Sequence, residues 1–302
     1  MISDYIHEAR EPTLLLGTFS GVVGLAAALY YGSASVFLGI LAIVGAVLAQ
    51  LSVNMIDDYV DFKVGLDRET SKTKFSGGSG LLVGKKVKPG SVLAIALAAL
   101  AIAGIVGAYL LLSASNVAWL VALTMAIGGA GVLLYARYMT HVPLLAEPFC
   151  ALSFALIGIG VFLVSSNGTS HLMGTALVCT LAGVQVGAIL VANEVPDMKP
   201  DRKYGRRSWV VILGSAKSAG LLYAGFQGVG YVVLVIGMMA RYIPAAFAIM
   251  LAFVPIMQYI AMGIRRYKNA KAHEGIMGVS AAMGMAYMLA LSAAYLLAGI
   301  FA

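Results

Sequence analysis

Asn54-Met55-Ile56-Asp57-Asp58-Tyr59-Val60-Asp61 closes an apolar run that begins near residue 35, and Asn193-Glu194-Val195-Pro196-Asp197-Met198-Lys199-Pro200-Asp201 closes another that begins near residue 171. Each run has about the ~20 residues a helix needs to cross the hydrocarbon of a bilayer, so each reads as a membrane span ending in acid. Carboxylates at that place are costly unless they bind something cationic. Both clusters set two aspartates four residues apart, Asp57 with Asp61 and Asp197 with Asp201, and Asn193 extends the second pattern by one more step of four. The pair reads as the two halves of a divided cation site.

The rest of the chain agrees with a membrane setting. At 302 residues, 61% hydrophobic and 11% charged, with a mean hydropathy of +0.93, it carries more apolar surface than one soluble core hides. Apolar stretches at about 13–31, 35–56, 90–113, 117–136, 143–165, 171–192, 218–240, 243–264 and 276–300 predict nine spans. The fold class expected is an all-α integral membrane protein, nine transmembrane helices bundled around a central cavity. Residues 1–302 read as one domain with cap loops at about 57–89 and 194–217. The first span is kept as part of the mature protein, because mixed charge precedes it and no cleavage-like site ends a short apolar core. The seventh, with Gly220, Gly225, Gly228 and Gly230, is the weakest helix former.

Charge orients the bundle. With nine spans, 19 of the 20 basic residues and all 13 acidic ones fall on one side, Arg241 being the exception. The positive-inside rule makes that side cytoplasmic, with the N-terminus and the active face there and the C-terminus opposite, in the cell membrane. The basic residues flank spans, where membrane lipids account for them, so the net charge of +7 does not point to nucleic acid. Cys150 and Cys179 fall inside predicted spans and form neither a disulfide framework nor a metal motif. The sequence carries no signal of oligomeric state.

On a helix, residues three and four apart share a face, so Asn54, Asp57, Asp58 and Asp61 line one wall, and Asn193, Asp197 and Asp201 another. Like charges at that spacing repel. Solvated helix-end aspartates paired with nearby lysines are the plain alternative, and the duplication on one side weighs against it. Hard oxygen donors with few histidines suit Mg²⁺, which takes one or two carboxylates together with phosphate oxygens and water. Two such walls would clamp a diphosphate.

These residues carry a resemblance. The nine spans, the Ala9-Arg10-Glu11-Pro12-Thr13 entry to the first, and the acidic motifs after the second and sixth are similar to the UbiA superfamily of intramembrane prenyltransferases over nearly the whole chain. The segment from Asn193 to Gly205-Arg206-Arg207-Ser208 resembles the menaquinone-forming branch. In the first motif the leading position, usually asparagine in the family, is Asp57, which either adds a negative ligand or leaves Asn54 to supply the amide oxygen.

The resemblance implies Mg²⁺-dependent transfer of a polyprenyl group from its diphosphate to an acceptor. Asp58, Asp61, Asp197 and Asp201 would hold the metal ions, with Asn54, Asp57 and Asn193 in support. Arg10, Arg68, Lys72, Tyr135 and Arg137 are the diphosphate-binding candidates; where the family often has a lysine four residues after the tyrosine, Met139 stands, and Arg137 is the substitute. Of the basic residues after the two motifs, Arg68 and Lys72 rank above Arg202, Arg206 and Arg207. Glu147, just inside the fifth span, would orient or deprotonate an aromatic hydroxyl, or else pair with Arg137 or His141. The run Ser76-Gly77-Gly78-Ser79-Gly80 matches no nucleotide loop and reads as a lid. The leading acceptor is an aromatic quinone precursor such as 1,4-dihydroxy-2-naphthoate. A lipid acceptor, geranylgeranylglyceryl phosphate, is the second reading, and a cation transporter is the alternative of another class.

Overall fold

The computed structural model describes residues 10–32 and 34–300, so Ala9 of the entry motif, Ser33 in the first connection and the two chain ends lie outside the described residues. It is all-helical. In chain order the elements are α1 (Glu11–Tyr30), α2 (Val36–Val64), α3 (Pro89–Ser113), α4 (Ala118–Leu134), α5 (Ala146–Ser166) and α6 (Leu172–Glu194). The short helices α7 (Met198–Lys203) and α8 (Trp209–Leu213) follow, then α9 (Ala216–Met239), α10 (Val254–Arg265) and α11 (Ala270–Ile300). Nine helices among the described residues are long and apolar enough to cross a membrane, as the sequence predicts.

Burial sorts them. In α6, 78% of the most apolar window is buried against 11% in α2, so α6 is the hub, packed on α1, α5, α9 and α11, while α2 holds α3 and α4 on the other flank. Small residues make the inner crossings possible. A Cβ at Gly158 of α5 would stand 2.8 Å from the Ser20 carbonyl oxygen of α1, and one at Gly24 would strike the Gly158 carbonyl, so these two backbones touch directly. Cys179 sits buried beside Gly158 as a packing residue.

Three boundaries differ from the sequence reading, each for a local reason. α2 runs eight residues beyond position 56, to Val64, where Gly65 at φ 92° caps it by donating to the Asp61 carbonyl; the whole first motif is therefore helical. The eighth span begins as a 3₁₀ helix over Ala245–Phe253 and passes to α10 at Val254, whose N–H bonds the Leu251 carbonyl, which Pro255, lacking an N–H, could not serve. The ninth begins at Ala270 rather than near 276. The glycine-rich seventh span is nevertheless an unbroken helix, α9; Gly220 lies where a Cβ would meet the Ala261 carbonyl oxygen at 2.6 Å, so that glycine serves close packing on α10.

On the charge-bearing face the insert between α2 and α3 folds back over the bundle. Leu81, Leu82 and Val87 pack with Met55 of α2 and Val92 and Ala96 of α3, which pins the insert down. Lys203 Nζ reaches both Glu69 carboxylate oxygens at 2.7 Å, and the Tyr204 hydroxyl donates to the Gly65 carbonyl at 3.2 Å, tying the two cap segments together.

Candidate active site

The last turns of α2 bring Asn54, Asp57, Asp58 and Asp61 to the charge-bearing face, with Asp58 fully buried. Across from them, α6 ends at Asn193 and Glu194, and the turn into α7 supplies Asp197 and Asp201. The link between the walls is Arg206. Gly205 at φ 83° turns the chain after α7, the Arg206 N–H bonds the Asp201 carbonyl at 2.9 Å, and the guanidinium is thrown inward. Its Nη2 lies 2.6 and 2.7 Å from the Asp61 oxygens and 3.6 Å from Asp57, while Nη1 lies 3.5 Å from Asp201. One arginine thus touches both acidic motifs, which places them face to face.

Arg10, at the entry to α1, pairs with Asp58 and stands 3.1 Å from Asp57. Asn54 donates to Thr13 Oγ1 at 2.6 Å and accepts from Gln50 at 3.1 Å. The glycine-rich run closes over the top. Its Gly77, Gly78 and Gly80 all have φ between 69° and 80°, the Ser79 N–H donates to Asp58 Oδ2 at 3.1 Å, and Gly77 offers its backbone to Asp197. The loop therefore touches one aspartate of each motif. Lys72 holds it from behind, pairing with Asp67 at 3.1 Å and bonding the Gly77 carbonyl.

Burial weakens the charged forms here. The Asp197 carboxyl is pushed up to about 7, by burial first and then by Asp201, and Asp201 is pushed up to about 6 by burial against the opposing pull of Arg206. Burial likewise raises Asp67. The Tyr135 phenol is held well above its ordinary value by burial, then by Cys150, Glu194 and Asp57, and so stays neutral.

These groups line the polar end of a cavity of about 1040 Å³ whose remaining walls are apolar residues of α2, α3, α4 and α5. Among the predicted site residues, Arg10, Asn54, Asp57, Asp61, Tyr135, Asn193, Asp197 and Asp201 reach that cavity, while Asp58 is buried beside it under Arg10 and the Ser79 N–H. Others do not. Arg68 stacks over Phe62 and exposed Arg137 over Tyr138, and neither lines the cavity. Lys72 organises the lid. Glu147 is fully buried behind the wall, accepting from the Val210 N–H at 3.2 Å and standing near Glu194, which is the one that faces the cavity. Arg206 ranks below Arg68 and Lys72 in the sequence reading, which does not single out Asp67 or Glu194; the Gly205 that aims Arg206 was the available signal.

The donor set fits Mg²⁺. Asp57 Oδ1, Asn193 Oδ1 and Asp197 Oδ1 are buried and accept no hydrogen bond, which leaves unpartnered hard oxygens on both walls. Among the described residues no three acidic, histidine or cysteine side chains converge as a ready-made cluster, since the guanidiniums of Arg10 and Arg206 stand between the carboxylates.

Fold and site define a multi-span helical membrane protein in which two acidic motifs, joined by an arginine, stand at the head of an apolar pocket. The chain belongs to the UbiA prenyltransferase family, which matches residues 14–286, and it is a prenyltransferase embedded in the membrane by multiple spans. It is 29% identical over 225 residues to a 1,4-dihydroxy-2-naphthoate octaprenyltransferase of Bacillus subtilis (strain 168), covering 73% of this chain and 70% of that protein. It is also 29% identical to the protein of the same description from Mycobacterium tuberculosis, covering 79% of each. In solved structures its fold is that of a UbiA homolog from Aeropyrum pernix K1 (TM-score 0.68, 16% identity, 93% of this chain and 97% of that one). A UbiA homolog from Archaeoglobus fulgidus bound to DMAPP and Mg²⁺ is similar over 96% of this chain and 99% of its own (TM-score 0.61, 14% identity).

Proposed function

We propose that this prenyltransferase moves a polyprenyl group from its diphosphate to 1,4-dihydroxy-2-naphthoate or a closely related aromatic quinone precursor, at a site facing the cytoplasm. The observation that carries the reading is the joining of two acidic motifs by Arg206 at the polar head of a long apolar cavity. The acceptor class is supported by the two naphthoate octaprenyltransferases to which the chain is similar. The sidedness is supported by the lysines and arginines of the acid-bearing face. The whole chain acts as one domain.

Asp58, Asp61, Asp197 and Asp201, helped by Asn54, Asp57 and Asn193, would hold Mg²⁺, which supplies Lewis-acid neutralisation of the charge building on the leaving diphosphate. Arg10 and Arg206 pair with the same carboxylates and border the same cavity, where their guanidiniums would also bind diphosphate oxygens, for which guanidinium is the better-shaped donor. The C1–O bond breaks with its electrons leaving on the diphosphate, the electron-rich acceptor carbon attacks the allylic cation that remains, and the ring regains aromaticity when that carbon sheds its substituent, a proton or, at the carboxylated position, CO₂. The lid over Asp58 and Asp197 excludes the water that would otherwise quench that cation. Neutral Tyr135 faces the reacting centre, and Glu194, backed by Glu147, takes the acceptor side.

The test is Mg²⁺-dependent diphosphate release by detergent-purified protein given geranylgeranyl diphosphate with dihydroxynaphthoate, hydroxybenzoate or geranylgeranylglyceryl phosphate in parallel. Stimulation by dihydroxynaphthoate alone is expected. Stimulation by the glyceryl phosphate instead would move the reading to ether-lipid synthesis, and none with any acceptor would remove it.

A further inference from the structure

A second, narrower groove runs between α9 and α10 and shares no lining residue with the first cavity. Its walls are one stripe of each helix, Gly220 to Tyr231 on α9 and Val254 to Arg265 on α10, with lining residues recurring three and four apart. At 1.5 Å per residue each stripe is ~17 Å long, about half of the ~30 Å hydrocarbon core and so the depth of one leaflet. Tyr231 ends the groove at depth, its hydroxyl donating to the Met250 carbonyl at 3.0 Å. Gln227 is spent on Gln185, with which it exchanges hydrogen bonds of 2.9 and 3.1 Å, and a Cβ at Gly228 would meet no atom within 4 Å. Arg265 stands at the charge-bearing end. It is exposed, its stem lies on Gly220, where a Cβ would come 3.2 Å from its Cδ, and it joins no ion pair among the described residues. Lys217, three residues before Gly220 and on the same face of α9, is likewise exposed and joins none.

We propose that this groove holds one acyl chain of an anionic glycerophospholipid from the leaflet on the charge-bearing side, with the lipid phosphate at Arg265 and Lys217. Depth, girth and charge together choose that occupant. The groove is as deep as one leaflet and starts at its interface. A volume of about 420 Å³ spread over ~17 Å is a cross-section of ~25 Å², which suits a single hydrocarbon chain and excludes a helix, whose diameter is ~10 Å. Two cations without carboxylate partners draw a phosphate to the mouth, and they favour a net anionic headgroup over a zwitterionic one, whose ammonium they repel. A chain seated there covers the backbone that Gly228 leaves bare and joins α9 to α10. The site is separate from the reacting centre and does not depend on the prenyl-transfer reading.

The experiment is native mass spectrometry of the full chain in detergent, titrated with phosphatidylglycerol or with phosphatidylcholine of the same acyl chains, each protein checked for monodispersity. In the parent the first phosphatidylglycerol is expected to bind about fivefold or more tighter than phosphatidylcholine, the order of one basic residue's pull on an anionic headgroup. Gly228→Leu fills the groove with no atom in its way and replaces a helical glycine by a better helix former; it should weaken that first site by about tenfold or more, since a few buried methylenes carry as much. Ala224→Leu, one turn earlier in the same wall, should do the same. The double variant Lys217→Gln, Arg265→Gln should bring the two lipids level. Gly225→Leu is the control, because its Cβ also meets open space but it does not line the groove, and it should bind as the parent does. Loss in either filling variant beside a parental Gly225→Leu sustains the proposal. Parental binding in both filling variants overturns it, as does an equal loss in Gly225→Leu, which would make the site the general lipid face of α9. A parent that binds both lipids equally, or a double variant that keeps the parent's preference, overturns it as well.

Discussion

Four aspartates crowded about two guanidiniums set the terms of this site. Arg206 contacts Asp57, Asp61 and Asp201, so its removal leaves carboxylates from both motifs facing each other without a counter-charge. Arg206→Ala is expected to lose about 10²–10³-fold in turnover, the usual cost of deleting one preorganised donor to a developing anion. Its unfolding temperature without metal should fall, and added Mg²⁺ should raise it by more than in the parent, because the ion then replaces the lost cation. Arg206→Lys keeps a charge but loses the planar fork and should fall between the two. An Arg206→Ala variant with parental turnover would remove the residue from the mechanism. The aspartates were legible in the sequence because a spacing of four on a helix makes no sense for helix stability alone. Arg206 was not. Several basic residues follow the second motif, and only the left-handed turn at Gly205 selects the one that enters the site, while equally plausible Arg68 and Arg137 settle over Phe62 and Tyr138.

At the scale of the element, the decisive piece is the lid between α2 and α3. Gly78 has φ 69°, and a Cβ there would sit 2.5 Å from Asp67 Oδ1, itself held by Lys72. Gly78→Ala therefore adds left-handed strain of about 1–2 kcal/mol and pushes the loop off Asp67. The lid is anchored separately by Leu81, Leu82 and Val87, so the unfolding temperature should move little. Chemistry should suffer differently. With the cover displaced, water reaches the cation, and more diphosphate should be released per prenylated product than in the parent. Equal ratios in the two proteins would show that this loop does not exclude water. The glycine run announced a lid from sequence because glycine is the residue that tolerates such backbone. Its two anchor points, Asp58 and Asp197, depend on how α2 and α6 pack, which periodicity does not specify. The 3₁₀ opening of the eighth span went unseen because hydropathy is the same for a 3₁₀ turn and an α turn of equally apolar residues.

For the whole molecule, span number and the sorting of charge were readable because the bilayer imposes both. The cavity was not, since its apolar wall is assembled from α2, α3, α4 and α5 together, and how those helices pack on one another is not written in hydropathy. Orientation follows from the same charges and makes a separate prediction. Lys86, in the exposed part of the cap, and Ser115, in the exposed α3–α4 connection, lie on opposite faces of the bundle. The native thiols form a quiet background, Cys179 being buried and Cys150 half-buried in the cavity wall. In intact cells a membrane-impermeant maleimide should label Ser115→Cys and leave Lys86→Cys untouched, and permeabilised cells should label both. The reverse pattern would place the acidic motifs outside and overturn the cytoplasmic assignment. The chemistry gives a reason for the expected one: an amphipathic diphosphate donor made in the cytoplasm enters the bilayer with its charged head on that side, where Arg10, Arg206 and the two acidic walls stand at the head of an apolar arm that reaches towards the other.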